Sequence, residues 1–322
     1  MGGEGEGKVV CVTGASGYVA SWLVKLLLER GYTVRATVRN LSDPGKTKHL
    51  EALEGGKERL ELFEGDLMEE GSFDSVIDGC DGVFHTASPV IVASANPQEE
   101  IIEPAVKGSV NVLRSCSKAA SVRRVVLTSS TAAVMYNFNS FGPGVFVDET
   151  WVSDHDFCQQ NELWYCLSKT LAEEASWKFA QENGIDLVVM NPGLVIGPLL
   201  QPTLNTTSQF QVDVIKGKSL LPHYQLVDVR DVAYAHVMGF EKHSASGRYI
   251  LVAKSMTHRQ LLHLLHKLYP TSIHAPTNGG GDDGIGEVSR KKAESLGVSF
   301  MDVEVSLKDS IESLKEKNFL NF

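Results

Sequence analysis

The stretch "VTGASGYVAS" (12–21) limits what this chain can fold into more than any other part of its 322 residues. It grows out of "KVVCVT" (8–13), a valine-rich run that reads as a buried parallel strand. It leads into residues 19–30, whose apolar spacing is helical and which stop at Gly31, a suitable C-cap. A glycine turn between strand and helix leaves unpaired N–H groups at the helix start, and these attract phosphate. Three positions of such a loop do different work. Gly14 makes the tight turn, and Gly17 lets the backbone approach a pyrophosphate. The third position needs only to be small, because helix and strand pack closely there. Ala20 meets that need, so the stretch reads as a dinucleotide-binding loop.

The alternation continues. "YTVRATV", "RLELFEG", "GVFHTAS", "RRVVLTSS" and "GIDLVVMNP" read as further strands, with helices expected at 72–78, 98–120 and 163–182. Repeated strand–helix units give right-handed crossovers, hence an α/β chain with a Rossmann-like, doubly wound parallel sheet. After Pro198 the alternation fades, and helices are expected at 204–216, 232–241, 259–268 and 306–317. "NGGGDDGIGE" (278–287) reads as an exposed, mobile glycine-acid loop. The expected division is a flexible leader (1–7), a dinucleotide-binding domain carrying the reacting residues (8–192), and a smaller C-terminal substrate-binding lobe (193–322). Some segments of that lobe are expected to return to the main domain.

The formal charge of -10 argues against nucleic acid, whose binding rests on Lys and Arg neutralising phosphates, and against an anionic membrane surface. No run approaches the 18 apolar residues of a membrane span, and the leader has no signal-peptide core. A cytoplasmic protein is expected, as a monomer or a homodimer. The five cysteines, an odd number with no CxxC pair, suggest free thiols, although Cys158 and Cys166 lie close enough in sequence for a redox-dependent bridge. His263 and His266 fall in the amphipathic "QLLHLLHKL" with no Cys or acid at ligand spacing, so no metal site is expected.

A site for NAD usually carries an acid at the end of the second strand, bonded to the ribose hydroxyls. Here Arg39 stands at that end, and Lys46 follows. A guanidinium and an ammonium suit the 2′-phosphate of NADP, which would repel a carboxylate. Asp66 and Leu67, after the third strand, are placed to meet the adenine.

Tyr165 and Lys169 form a Tyr-x-x-x-Lys pair, which puts both on one helical face. A surface Tyr and Lys would look the same, so the setting decides. The pair follows a complete dinucleotide half. "TSS" (128–130) ends the fifth strand, at the carboxyl edge where doubly wound sheets bind ligands. Carbonyl reduction needs hydride at carbon and a proton at oxygen. A tyrosine near its free pKa of about 10 is a slow acid–base group at neutral pH. Lys169 is expected to lower that pKa and to bond the nicotinamide ribose. Ser130 is expected to hold the carbonyl oxygen and stabilise the developing alkoxide, with Ser129 as the fallback. Glu173 and Glu174 are expected on a solvated face.

Together these motifs resemble the extended short-chain dehydrogenase/reductases. More closely, "ASWLVKLLLERGYTVRATVRN", "GVFHTASPV", "NPGLVIGPLLQPTLN" and "LVDVRDVAYAH" are similar to the plant group of dihydroflavonol, cinnamoyl-CoA and phenylacetaldehyde reductases, over about residues 8–320. The resemblance implies a Ser130–Tyr165–Lys169 triad. It implies NADPH held by Gly14, Ser16, Gly17, Tyr18, Val19, Arg39, Lys46 and Asp66, then by Thr86, Ala87, Ser88, Pro192, Gly193, Val195 and Ser208.

Departures from the group's patterns point within it. Dihydroflavonol reductases place a polar residue where this chain has Met135. Cinnamoyl-CoA reductases carry NWYCYGK where "LWYCLSK" (163–169) stands. They also place His and Lys where this chain has Phe210 and Asp213, and a carboxylate there would repel a CoA phosphate. The phenylacetaldehyde reductase-like branch fits best, which implies reduction of a small aromatic aldehyde to its primary alcohol. Val90, Met135 and Leu194 are the expected pocket lining. The alternatives are reduction of a cinnamoyl-CoA thioester or of a dihydroflavonol-type ketone and, from another class, a non-catalytic NADP-sensing protein. Such sensors usually lose the Tyr or the Lys, and this chain has both.

Overall fold

The valine-rich runs of the sequence become the middle of one sheet in the computed structural model, which describes residues 4–91, 94–139, 141–218, 221–273 and 284–322. Its strands are β1 (Val9–Thr13), β2 (Thr33–Val38), β3 (Leu60–Glu64), β4 (Gly82–His85) and β5 (Arg124–Thr128). A two-residue strand, β6 (Phe146–Val147), lies outside it; β7 (Leu187–Pro192) rejoins it. Further on come β8 (Leu194–Ile196), β9 (His223–Asp228), β10 (Gly247–Leu251), β11 (Lys254–Thr257) and β12 (Glu287–Val288). The main sheet runs β10-β7-β5-β4-β1-β2-β3, and every pairing in it is parallel. Its order reverses between β1 and β4, the switch point beside which open sheets hold ligands. β8, β9 and β11 form a three-stranded sheet, and β6 pairs with β12.

Both faces of the sheet are covered. Along β1, Val10 and Val12 face a layer containing α1 (Tyr18–Glu29), while Cys11 faces the opposite layer. The short helices α2 (Pro44–Glu51), α3 (Gly56–Arg59) and α4 (Asp74–Ile77) lead to α5 (Glu103–Lys118). Beyond α6 (His155–Gln160) comes α7 (Trp164–Asn183). α4, α5 and α7 bury Val76, Ile77, Val112, Leu113 and Ala180 against the side of Cys11, Val83, Val125 and Val189. This period-two switching of faces is what a strand buried on both sides requires.

The residues after 192 share the main core. Helices α8 (Thr206–Ile215), α9 (Val229–Glu241), α10 (His258–Leu268), α11 (Lys291–Ser295) and α12 (Val303–Glu316) all give buried side chains to the cluster around β1 and β2. β10 supplies the last strand of the main sheet, and α9 packs against α1.

Several elements differ from expectation. The helix expected at 98–120 begins as a wider π turn at Gln98–Ile102 and becomes α-helical only at Glu103. α2 was not expected; Asp43 caps it, its Oδ1 accepting from Gly45 N at 2.9 Å. Of the leader, residues 4–7 form a turn, with Glu4 ion-paired to Arg30 at 2.6 Å. Residues 278–283 of the glycine-acid stretch lie outside the described residues. Among the described residues no helix is long and apolar enough to cross a membrane, and no group of three or more His, Cys, Asp or Glu could hold a metal. All five cysteines are buried free thiols; Cys158 and Cys166 share one small cluster, and burial pushes them up to about 11 and about 12.

Candidate active site

The glycine loop takes the form its sequence demands. Gly14 has φ +67°, and a Cβ there would stand 2.9 Å from Ala87 Cα, so only glycine fits. The loop is stitched to the end of β2: Gly14 N donates to Thr37 Oγ1 at 3.1 Å and Ala15 N to Thr37 O at 2.8 Å. A Cβ on Gly17, the N-cap of α1, would come 3.2 Å from Gly14 O. That helix end has no side-chain cap and no acid in its first turn, so its N–H groups are left for an anion. Ala20 is buried, as the close helix–strand contact requires. The loop residues present therefore fit a dinucleotide diphosphate.

From this loop a cleft of about 570 Å³ runs along the carboxyl edge of the sheet. Gly14, Ser16, Gly17, Tyr18 and Val19 line one end, with Arg39 and Lys46 beside Asp66 and Leu67. Arg39 and Lys46 are exposed, and no carboxylate among the described residues pairs with either. Thr86, Ala87 and Ser88 also line the cleft, as do Pro192, Gly193 and Val195. Ser130, Tyr165 and Lys169 face the same space. Ser208 is buried and does not line it, although Thr206 and Thr207 do.

Of the three residues expected to line the substrate pocket, the cleft is bounded by Val90 and not by the other two. Met135 is not at the cleft wall; it packs with Val134, Val147, Ile250 and Val252 in a separate cluster. Leu194 packs against the main core rather than lining the cleft, and of the three only Val90 lines it. Sequence reasoning also missed Gln201. It is buried, lines the cleft, and its Oε1 and Nε2 have no partner among the described residues. No periodicity marks a single glutamine in a loop.

The three residues expected to react, Ser130, Tyr165 and Lys169, line the cleft beside the start of α7. Ser130 Oγ accepts from Ala132 N at 3.1 Å, and the hydroxyl lies close enough to the Tyr165 phenol to act on its pKa. Lys169 is buried and donates to Ser88 Oγ at 3.0 Å. The expected lowering of the phenol by the ammonium is not what governs here. Desolvation pushes Tyr165 up to about 12, with the Ser130 hydroxyl opposing it. Desolvation also drives Lys169 down to about 8, opposed by the charge of Glu173.

The expectation for Glu173 needs correction. Glu174 is on the solvated face beside His155, but Glu173 is buried. Its Oε2 accepts from Ser129 Oγ at 2.5 Å and Asn191 Nδ2 at 2.8 Å. Its Oε1 accepts from Trp177 Nε1 at 3.3 Å and lies 2.6 Å from Arg248 Nε. Ser129 is thus turned to this carboxylate, which leaves Ser130 as the serine that acts on the phenol's pKa.

Known proteins share this arrangement of elements. The profile of the NAD dependent epimerase/dehydratase family matches residues 10–253. The chain is 54% identical to cinnamoyl-CoA reductase CAD2 of Medicago truncatula over 326 residues, which covers 100% of both chains. It is 41% identical to dihydroflavonol 4-reductase of Callistephus chinensis, covering 99% of this chain and 90% of that one. The yeast methylglyoxal/isovaleraldehyde reductase, solved with NADPH, superposes with a TM-score of 0.85 at 28% identity, over 97% of this chain and all of that one (100%). With its glycine loop, its seven parallel strands and relatives matched from end to end, the chain belongs to the NAD dependent epimerase/dehydratase family, within the plant group of cinnamoyl-CoA and dihydroflavonol reductases.

Proposed function

We propose that the protein is an NADPH-dependent reductase that converts a small aromatic aldehyde to its primary alcohol. The observation that carries this reading is the convergence of Ser130, Tyr165 and Lys169 in the cleft opened by the glycine loop. NADPH bound there would supply a hydride to the carbonyl carbon. The rest falls to the chain. The α1 end and its glycines would hold the diphosphate, and Arg39 with Lys46 the 2′-phosphate. Lys169 would bond the nicotinamide ribose. Ser130 would donate to the carbonyl oxygen and stabilise the charge that develops there. Tyr165 would hand its proton to that oxygen. With its pKa raised, the phenol stays protonated at neutral pH, as a proton donor must.

A second reading, reduction of a hydroxycinnamoyl-CoA thioester, is favoured by the 54% identity to a protein named as a cinnamoyl-CoA reductase. The chemistry of α8 speaks for the aldehyde. Its ten residues, "TTSQFQVDVI", hold no Lys, Arg or His. Asp213 there accepts from Gln209 Nε2 at 3.0 Å, and the Phe210 ring packs on Tyr224 with centroids 5.8 Å apart. The nearest following cations, Lys216 and Lys218, come only after the helix ends. A CoA phosphate near this helix would meet a carboxylate instead of a cation.

A panel of aldehydes, ketones and thioesters with NADPH tests both readings. The kcat/KM for phenylacetaldehyde should exceed that for hydroxycinnamoyl-CoA by about tenfold or more, a ratio that differences in binding of a group readily supply. A tenfold preference for the thioester would overturn the aldehyde reading in favour of the second.

A further inference from the structure

The side chain that binds the reacting groups into one unit belongs to none of the roles above. We propose that Glu173 is a positioning residue of this active site, tying the strand ends that carry Ser130 to the helix that carries Tyr165 and Lys169. The inference rests on the reductase reading and deepens it. Glu173 lies one helical turn beyond Lys169 and two beyond Tyr165, on the same face of α7. Its carboxylate reaches the ends of three strands. Ser129, just after β5, donates to Oε2 at 2.5 Å. Asn191 of β7 uses one Nδ2 for two acceptors, Glu173 Oε2 at 2.8 Å and Ser130 O at 3.0 Å. Arg248 of β10 stands 2.6 Å from Oε1 and donates onward to Ala133 O at 3.1 Å and Trp151 O at 2.7 Å. The backbone from 129 to 133 is thus held on both sides of Ser130 through contacts that end on one carboxylate.

Burial separates this cluster from an ordinary surface ion pair. Glu173 is 4% exposed, and its partners Ser129 and Asn191 are 5% and 0%. An uncompensated charge at such a depth is strongly unfavourable, so the Arg248 pairing and the donors are required together.

The carboxylate also acts on Lys169. Its charge raises the ammonium pKa against desolvation. The other groups around Lys169 do not replace it. Thr13 Oγ1 accepts from Thr86 N and Ala87 N, each at 3.1 Å, so its own proton goes to His85 Nδ1 at 2.8 Å. His85, at the end of β4, is therefore neutral; burial, and after it the charge of Lys169, pushes it down to about 3. Ser88 is uncharged. α5 turns Ala105, Gly108, Ser109 and Val112 inward, and the buried residue of α6 is Cys158. Arg248, the cation facing Glu173, is paired to it.

The test measures kcat, KM, NADPH affinity, melting temperature and the pH profile of kcat, using whichever carbonyl of the panel turns over. In Glu173→Gln, kcat should fall about 10- to 100-fold with KM changed less than about threefold, and the alkaline fall of kcat should begin about one pH unit lower. Glu173→Asp keeps the charge on a shorter arm, so kcat should fall while the alkaline limb stays near that of the wild type. Should Glu173→Gln fail to fold, the double variant Glu173→Gln/Arg248→Met, which removes both charges, carries the test and should show the same loss and the same shift. A kcat within about threefold of wild type with an unmoved alkaline limb, in whichever of these two variants folds, overturns the proposal. So does full recovery in the double variant, since Glu173 would then only neutralise Arg248. Tyr165→Phe, run alongside, separates the two levels. If Tyr165→Phe is inactive and Glu173→Gln is not, only this inference falls; if Tyr165→Phe turns over normally, the reductase reading falls with it.

Discussion

Replacing Tyr165 with phenylalanine should lower kcat for carbonyl reduction by about 10³-fold or more while leaving NADPH affinity within about twofold, the scale on which general acids act. The variant keeps the ring, which packs in a small cluster with Ile102, Ala132 and Leu167, and removes only the hydroxyl. Ser130 retains its bond from Ala132 N, so the loop should hold its shape. Turnover measured against cofactor binding decides the matter. A variant keeping more than about a tenth of wild-type turnover would remove the phenol from the proton-transfer step. The wild-type pH profile gives a companion result. The phenol, raised to about 12, stays protonated across the working range, whereas Lys169, lowered to about 8, does not. Lys169 is an ammonium below that value and neutral above it. Activity that depends on the ammonium should therefore be present at neutral pH and fall as pH rises through about 8.

What the sequence made legible follows from which forces write a periodic pattern. β1 and α1 are readable because both bury apolar side chains at the period of their element, with glycines where the turn needs them. α2 is not: of its eight residues only Thr47 and Leu50 are buried, and local capping rather than an apolar stripe starts it. α7 misleads for the opposite reason. Among the residues it buries are polar ones, Ser168, Lys169, Thr170, Glu173 and Ser176. An acid on a long helix reads as solvated until the donors that surround it, drawn from β5, β7 and β10, are in place. The same missing strand hid the surroundings of Met135. The turn after Ser130 swings residue 135 toward Ile250 and Val252, around a β10 that the fading alternation concealed. Tyr165, Lys169 and the glycine loop can be picked out because each is tied to a local spacing, whereas the pocket wall depends on contacts far apart in sequence.

Replacing Arg39 with alanine should weaken NADPH binding by about 10- to 100-fold, the equivalent of one charge-assisted hydrogen bond of about 1.5–3 kcal/mol, and leave NADH binding within about twofold. Thr37 anchors the glycine loop through Gly14 N and Ala15 N, so the end of β2 and the start of α1 move as one piece. Arg39 lies two residues beyond that anchor and lines the cleft with Lys46, which sits in the first turn of α2 where the cap on Asp43 fixes it. No carboxylate among the described residues competes for either cation. A 2′-phosphate would therefore meet two free positive groups, and a 2′-hydroxyl would gain little from them. Arg39→Lys should fall between the two, because an ammonium keeps the charge but loses the planar fork. Both cations are exposed, so the NADPH preference should shrink as ionic strength rises. Dissociation constants for the two cofactors, measured at low and high salt, check each part. Equal weakening of NADPH and NADH by Arg39→Ala would mean that the guanidinium recognises the adenosine both share, and the phosphate clamp would have to be placed elsewhere.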